Sequence, residues 1–304
     1  MKTNKVVSVA VAFALVMFIN AYAFIHVSTS VNKKPNLISK LSAVSKPGID
    51  IEKLGSEVNS EQTNKFPILY SDADNGLIFY ADHVNSNNEF ISRDFLFSEF
   101  DSANSKWGKP VSLLKDYTAF QKINRYMNFP EIFITIDNDI YSVDLRKSTF
   151  SPQKLNINTR FIETSPCLSP DGNTLYFVSD RPGGYGGKDI WSSERLSNGK
   201  WSEPMNMGSK INTSEDEESP FLMTDNATLC FSSKGHNSIG GYDIFISTIN
   251  DDGQWSNAES LGSPVNTNSN DYCYITDTYG KRAFYSSDKE TQGSQNIYFV
   301  SFNK

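Results

Sequence analysis

Apolar residues in this chain come in short runs separated by turn residues, and the runs recur. Leu175-Tyr176-Phe177-Val178 is apolar on both alternating faces, follows the pair Asp171-Gly172 and precedes a glycine-rich stretch at 182–187. Asp-Gly supplies the positive backbone angles of a tight hairpin turn, so the chain is expected to double back between 165–169 and 175–179. A strand with two apolar faces is expected to be covered on both sides.

Shifted against itself, the sequence repeats with a period of 54. Leu175 and Phe177 return as Leu229 and Phe231, then as Ala283 and Tyr285, and Ser179 returns as Ser233 and Ser287. Asp189-Ile190-Trp191 returns as Asp243-Ile244-Phe245 and, 53 residues further on, as Asn296-Ile297-Tyr298. Trp201 and Trp255, each followed by Ser, keep the same spacing. Two weaker copies lie upstream. Phe133 with Asp139-Ile140-Tyr141 forms a shortened one with a tight Asp-Asn turn, and Leu77, Phe79, Ala81, Asp94 and Trp107 form one with a longer middle loop.

Units of about 50 residues, each with four short strands buried on both faces, are the signature of β-propeller blades. The predicted fold class is therefore all-β: a propeller of four-stranded blades, five by count, with six as the alternative. A phrase of Val or Ile, then Asn, then Ser or Thr precedes the first strand of four units, at 58–60, 157–159, 211–213 and 265–267. The last unit ends after its third strand, while residues 48–54 resemble the tail of a blade. This segment is predicted to complete the final blade and close the ring, removing an open sheet edge.

The first residues stand apart from the repeat. Lys2 and Lys5 precede an uncharged apolar run from Val6 to Ile19, and Ala21-Tyr22-Ala23 offers a signal-peptidase pattern. Residues 1–23 are thus expected to be a signal peptide, the alternative being an uncleaved membrane tether through residues 6–25. Residues 24–47, rich in Ser and Lys, are expected to be a linker, and residues 48–304 the propeller.

Charge narrows the partners. Six of the 28 basic residues and none of the 35 acidic ones precede residue 49, leaving the ring with 22 bases and a net charge of −13. A nucleic-acid partner is excluded on this balance, because phosphate neutralisation drives such binding.

Candidate chemistry is sparse. The three histidines, His26, His83 and His236, are widely separated, and no Gly-x-Ser-x-Gly elbow is present. The loop 182–188 lacks P-loop spacing. Asp72, Asp74, Asn75 and Gly76 fall where other units place their turn, so they are read as a turn in preference to a calcium loop. Cys167, Cys230 and Cys273 fall at strand positions and are read as small buried side chains. No metal, cofactor or catalytic residue is expected.

Ser169-Pro170-Asp171-Gly172, Leu175-Tyr176-Phe177, Ser179-Asp180-Arg181 and Asp189-Ile190-Trp191 together resemble the WD40-like propeller repeat of the TolB type. The Gly-Gly before Asp-Ile, the Trp-Ser-x-Pro and the Ile-Asn-Thr are similar to a variant found in exported envelope proteins of Bacteroidetes. The resemblance implies a non-catalytic scaffold, periplasmic or outer-membrane associated, that binds envelope proteins or peptides. The alternative is a carbohydrate-binding or glycan-cleaving propeller, since 169–174 is also similar to the Asp-box of sialidases, with Leu175 in place of the Trp. TolB-type propellers typically have six blades, so their partner surface is not carried over to a chain with five.

In a propeller the loop between second and third strands and the loop entering the next blade open on one face. That rim is expected to gather Arg181, Tyr185, Lys234 and His236 with the acids 215–218, and to be entered by Tyr117, Phe120, Lys122, Arg125 and Tyr126. Aromatic and basic residues of this kind are what protein interfaces use.

Overall fold

Every regular element that the computed structural model describes is a β-strand. The structure describes residues 49–302 except 60–62, 72–75, 86, 88–89, 114–130, 148–149, 278–279 and 292–293. The leader or anchor, the linker, the 72–75 turn and the candidates Tyr117, Phe120, Lys122, Arg125 and Tyr126 lie outside the described residues. None of the described segments is a helix long and apolar enough to cross a membrane.

The strands fall into five sheets in chain order. β1 (Ile49–Lys53) stands apart at the start. The first blade is built from β2 (Thr63–Ser71), β3 (Gly76–Val84), β4 (Phe90–Asp101) and the short β5 (Lys106–Trp107) and β6 (Val111–Ser112). The second is β7 (Glu131–Ile136), β8 (Asp139–Asp144) and β9 (Gln153–Lys154), joined as expected by the tight turn at Asp137-Asn138, both in the left-handed region. Three strands of this blade are described. The third is β10 (Glu163–Leu168), β11 (Thr174–Ser179), β12 (Asp189–Glu194) and β13 (Met205–Asn206), and the fourth is β14 (Glu217–Leu222), β15 (Thr228–Ser233), β16 (Asp243–Thr248) and β17 (Glu259–Ser260). β18 (Asp271–Thr276), β19 (Arg282–Ser287) and β20 (Asn296–Phe302) make the fifth.

The fifth blade takes its outer strand from the other end of the ring. β1 pairs antiparallel with β20 over its whole length, from Ile49 opposite Phe302 to Lys53 opposite Tyr298. The inner strands of the last three blades pack in sequence, β10 beside β14 and β14 beside β18, and β18 in turn packs against β2 of the first blade. The expected five-bladed, N-terminally closed propeller is what the chain forms.

The apolar runs explain this stacking. Leu175, Phe177 and Val178 have no exposed surface, and Tyr176, Val178 and Ile190 pack against Leu222, Leu229, Phe231 and Phe245 of the next sheet. Full burial of such a side chain contributes about 1.5–3 kcal/mol, so each sheet is stable only with its neighbours in place. At the closure, Leu54 and Val58 join Leu77 and Phe79 of the first blade and Phe284 and Ile297 of the fifth.

The Ile-Asn-Thr phrase is the joint between blades. Asn212 accepts from the Ile190 N–H at 2.8 Å and donates to the Ile190 carbonyl at 2.9 Å. Asn158 does the same to Ile140 and Asn266 to Ile244. An amide side chain thereby pairs with both backbone polar groups of one buried residue on the preceding blade's third strand.

One recurring feature has no sequence signal. Each inner strand from the third blade on carries a bulge with a left-handed residue, Ser165 (φ 51°), Ser219 (φ 54°) and Cys273 (φ 55°), where the register to the second strand shifts. Neither Ser nor Cys favours that region.

Candidate functional site

In the third, fourth and fifth blades the entry to the inner strand is set by a buried acid. Glu163, Glu217 and Asp271 are fully buried opposite Ser179, Ser233 and Ser287. Each accepts from the backbone N–H and the hydroxyl of the motif threonine four residues earlier: Thr159, Thr213 and Thr267, at 2.7–3.0 Å. In the first blade this register position holds Lys65, opposite Ala81 and 1% exposed, whose ammonium is pushed down to about 8 by burial and by Lys53.

Arg181, expected on the rim, turns into the blade. Its side chain is 10% exposed and pairs with Glu163 at 2.9 Å. It also donates to the Ser179 hydroxyl and the Ile157 carbonyl at 3.0 Å and lies over the rings of Phe177 and Trp191. Fifty-four residues on stands Gly235, and the next residue takes over. His236 contacts the Ile211 carbonyl at 2.8 Å through Nε2 and packs against Phe231 and Phe245, the counterparts of Arg181's partners. Both candidates serve the joint between blades.

The replacement leaves the fourth blade without a counterpart of the buried ion pair. Among the described residues Glu217 makes no ion pair, and desolvation pushes its carboxyl up to about 7 against the hydrogen bonds from Thr213 and Ser233. Glu217, placed on the rim by its position in the sequence, is in fact interior.

Beneath the rim lies a network of paired charges and aromatic rings, with Tyr242 buried at its centre. Asp216 ties three segments together, accepting from the Lys188 N–H at 3.1 Å, Lys234 Nζ at 2.8 Å and the Tyr242 hydroxyl at 3.2 Å. Lys188 Nζ pairs with Glu218 at 2.6 Å, and the Ser165 hydroxyl reaches Glu218 at 3.3 Å. Lys234 also sits 4.7 Å from the Tyr242 ring centre, Tyr242 packs on Tyr272 at 4.6 Å, and Tyr272 meets Phe66 edge-on. Tyr185, in the loop between β11 and β12, is 54% exposed and held by its backbone N–H to Asp189. Of the described candidates, Lys234 and Tyr185 reach the rim surface.

Tyr242 and Tyr272 escaped the sequence reading. Tyr242 falls 54 after Lys188, so the repeat marks the position while giving no sign that an aromatic replaces a cation there.

The same face carries an open cleft of about 290 Å³ between the second and third blades, lined by 137–139, 159–162 and Asp180. Two of its three carboxylates are engaged, Asp139 by Lys154 at 2.6 Å and Asp180 by the Ile162 N–H at 2.7 Å. No group of three His, Cys, Asp or Glu is placed to hold a metal ion among the described residues. Burial pushes the thiols of Cys167 and Cys273 up to about 11 and 12, and that of Cys230 higher still, disfavouring thiolate near neutral pH. His83 pairs with Asp94 at 3.0 Å, and neither His83 nor His236 bonds a serine or cysteine among the described residues.

No protein-family model matches the chain, and no curated protein sequence matches it. Solved structures similar to it include a BT0996–RGII complex, at 8% identity over 87% of this protein and 94% of that one with a TM-score of 0.54. A gluconolactonase from Xanthomonas campestris is 13% identical over 84% of this chain and 89% of its own, with a TM-score of 0.44. TolB from Acinetobacter baumannii is 14% identical over 79% of this chain, with a TM-score of 0.40. The chain spans 55% of that TolB and 40% of a puromycin-hydrolysing peptidase from Mycobacterium tuberculosis. At these identities the likeness is one of fold, and the chain is a β-propeller whose structural neighbours include TolB proteins.

Proposed function

We propose that this propeller is a non-catalytic scaffold of the cell envelope that binds other proteins or peptides through its loop rim. The observation that carries the reading is the rim built around Asp216. Three segments from two blades are locked by one carboxylate, and aromatic and charged side chains are held in place before any partner arrives. Such preorganisation lowers the entropic cost of association. Export is supported by the basic, apolar and small-residue pattern of residues 1–23.

The test is capture from the native host. The tagged chain is cross-linked in cells, purified from envelope fractions and its companions identified by mass spectrometry. A reproducible set of envelope proteins is expected; recovery of none overturns the scaffold.

A second reading, a glycan-binding or glycan-cleaving propeller, is favoured by one arrangement. Asp216 bonds Tyr242, whose ring packs at a tilt against Tyr272, so a carboxylate and aromatic rings adjoin near Glu218. Recovery of glycan fragments in place of proteins, with turnover lost on Glu218→Gln, would favour it.

A further inference from the structure

Two large apolar side chains are exposed at equivalent places. Tyr185 is 54% exposed in the loop between β11 and β12, and Ile239, one repeat later, is 58% exposed in the loop between β15 and β16. Neither is there by looseness of its loop. The Tyr185 N–H donates to Asp189 at 2.5 Å and the Ile239 N–H to Asp243 at 2.9 Å, each to the acid that opens its own third strand.

The glycines that follow dock each loop onto the next blade. A Cβ at Gly186 would collide with the carbonyl oxygens of Thr213 and Glu215, and one at Gly240 with those of Thr267 and Ser269. Only hydrogen fits, so each loop is wedged against its neighbour's entry segment with its apolar side chain left outside. Isolated exposed apolar residues are ordinary. A pair in repeat register, on rigid loops of adjacent blades, is a surface.

Its charge is one-sided. Lys188 and Lys234 are held by Glu218 and Asp216, and Arg181 by Glu163. Glu215 is exposed and makes no ion pair among the described residues, and its backbone carbonyl lies against Gly186 at the seam between the two blades. The exposed acid in the segment against which the Tyr185 loop is docked is thus uncompensated, on a ring already strongly acidic.

We infer that Tyr185 and Ile239 form a two-anchor docking surface for a partner polypeptide segment carrying apolar side chains with Lys or Arg between them. The inference rests on the scaffold reading and adds the place and the chemistry of the partner. Apolar side chains of the segment cover Tyr185 and Ile239, and a basic one answers Glu215.

The test uses the full chain and four sets of defined 12-residue peptides: apolar-basic, apolar-neutral, apolar-acidic and basic without apolar residues. Binding is followed by fluorescence anisotropy at two salt concentrations. The apolar-basic set is expected to bind about tenfold or more tightly than the others. Tyr185→Ser with Ile239→Ser, both exposed and so compatible with folding, is expected to abolish that advantage, and Glu215→Gln to reduce it about threefold and flatten its salt dependence. Equal binding of all sets, no binding of any, or an unchanged affinity in the double variant overturns the inference. The two readings fail separately. Envelope proteins still captured by Tyr185→Ser/Ile239→Ser would leave the scaffold standing and remove this surface, whereas no captured protein from the unmodified chain would remove the scaffold itself.

Discussion

The side-chain amide of Asn59 accepts from the Ile297 N–H at 2.8 Å and donates to the Ile297 carbonyl at 2.9 Å, joining positions 238 residues apart. This is the contact that Asn158, Asn212 and Asn266 make between consecutive blades, here made between the last blade and the segment that begins the ring. Asn59→Ala leaves two buried backbone groups unpaired and is expected to cost about 2–4 kcal/mol. Asn212→Ala, with the same geometry, should cost a similar amount in the same thermal or urea melt. Deleting 48–56 removes β1 as well and should cause aggregation through the bared edge of β20; an unchanged melting curve would show that closure is not what stabilises the ring.

Arg181 and Glu163 form a buried pair, so removing one partner strands the other. Arg181→Met is expected to destabilise by about 3–5 kcal/mol. Glu163→Gln in the same chain should recover a large part of that loss, because the uncompensated charge is gone. Urea unfolding of the two single variants and the double one measures the coupling. Strict additivity would mean that the pair contributes little.

Glu217 predicts the sign of a pH dependence. Its carboxyl titrates near 7 in the fold and near the ordinary glutamate value when unfolded. Between these values the folded chain holds a proton that the unfolded chain has released, so this group's contribution is complete at acid pH and declines as pH rises to about 7. Glu217→Gln keeps an uncharged group in place and should raise the melting temperature at pH 8 by several degrees, since about 1 kcal/mol moves the midpoint roughly 2–4 °C in a domain of this size. At pH 4.5 the two melting temperatures should agree. A gain of equal size at both pH values would assign the effect to packing.

Gly186 and Gly240 are required for close approach between blades, so Ala at either is expected to cost about 1–3 kcal/mol. Gly55 has open space around its Cβ position, and Gly55→Ala should stay within about 0.5 kcal/mol of the parent. Melting curves of the three variants suffice, and equal shifts in all of them would refute the wedge.

The blades and the closing strand were legible in the sequence because turn chemistry, two-faced apolar runs and the Asn phrase each recur in register. Spacing reports position along a strand, however, and leaves open which way a loop side chain turns. Arg181 and Tyr185 stand four residues apart in one loop, yet the first is drawn inward by a buried carboxylate and the second is left outside by the wedge at Gly186. The bulges at Ser165, Ser219 and Cys273 were equally hidden, since the residue types do not favour the conformation and only the finished sheet imposes it. Lys65 marks the same limit, because a cation at a position elsewhere acidic breaks the pattern that would have revealed it.

The pairing of β1 with β20 also sets a schedule. A ribosome makes β1 first among the strands of the ring and β20 last, and at about 5–20 residues per second the 238 residues from Asn59 to Ile297 take roughly 10–50 s to emerge. Throughout that interval β1 is a strand waiting for a mate and the first blade lacks its neighbour on one side. Ring assembly therefore waits until β20 has been made, and the protein's most vulnerable interval is the one before that strand emerges.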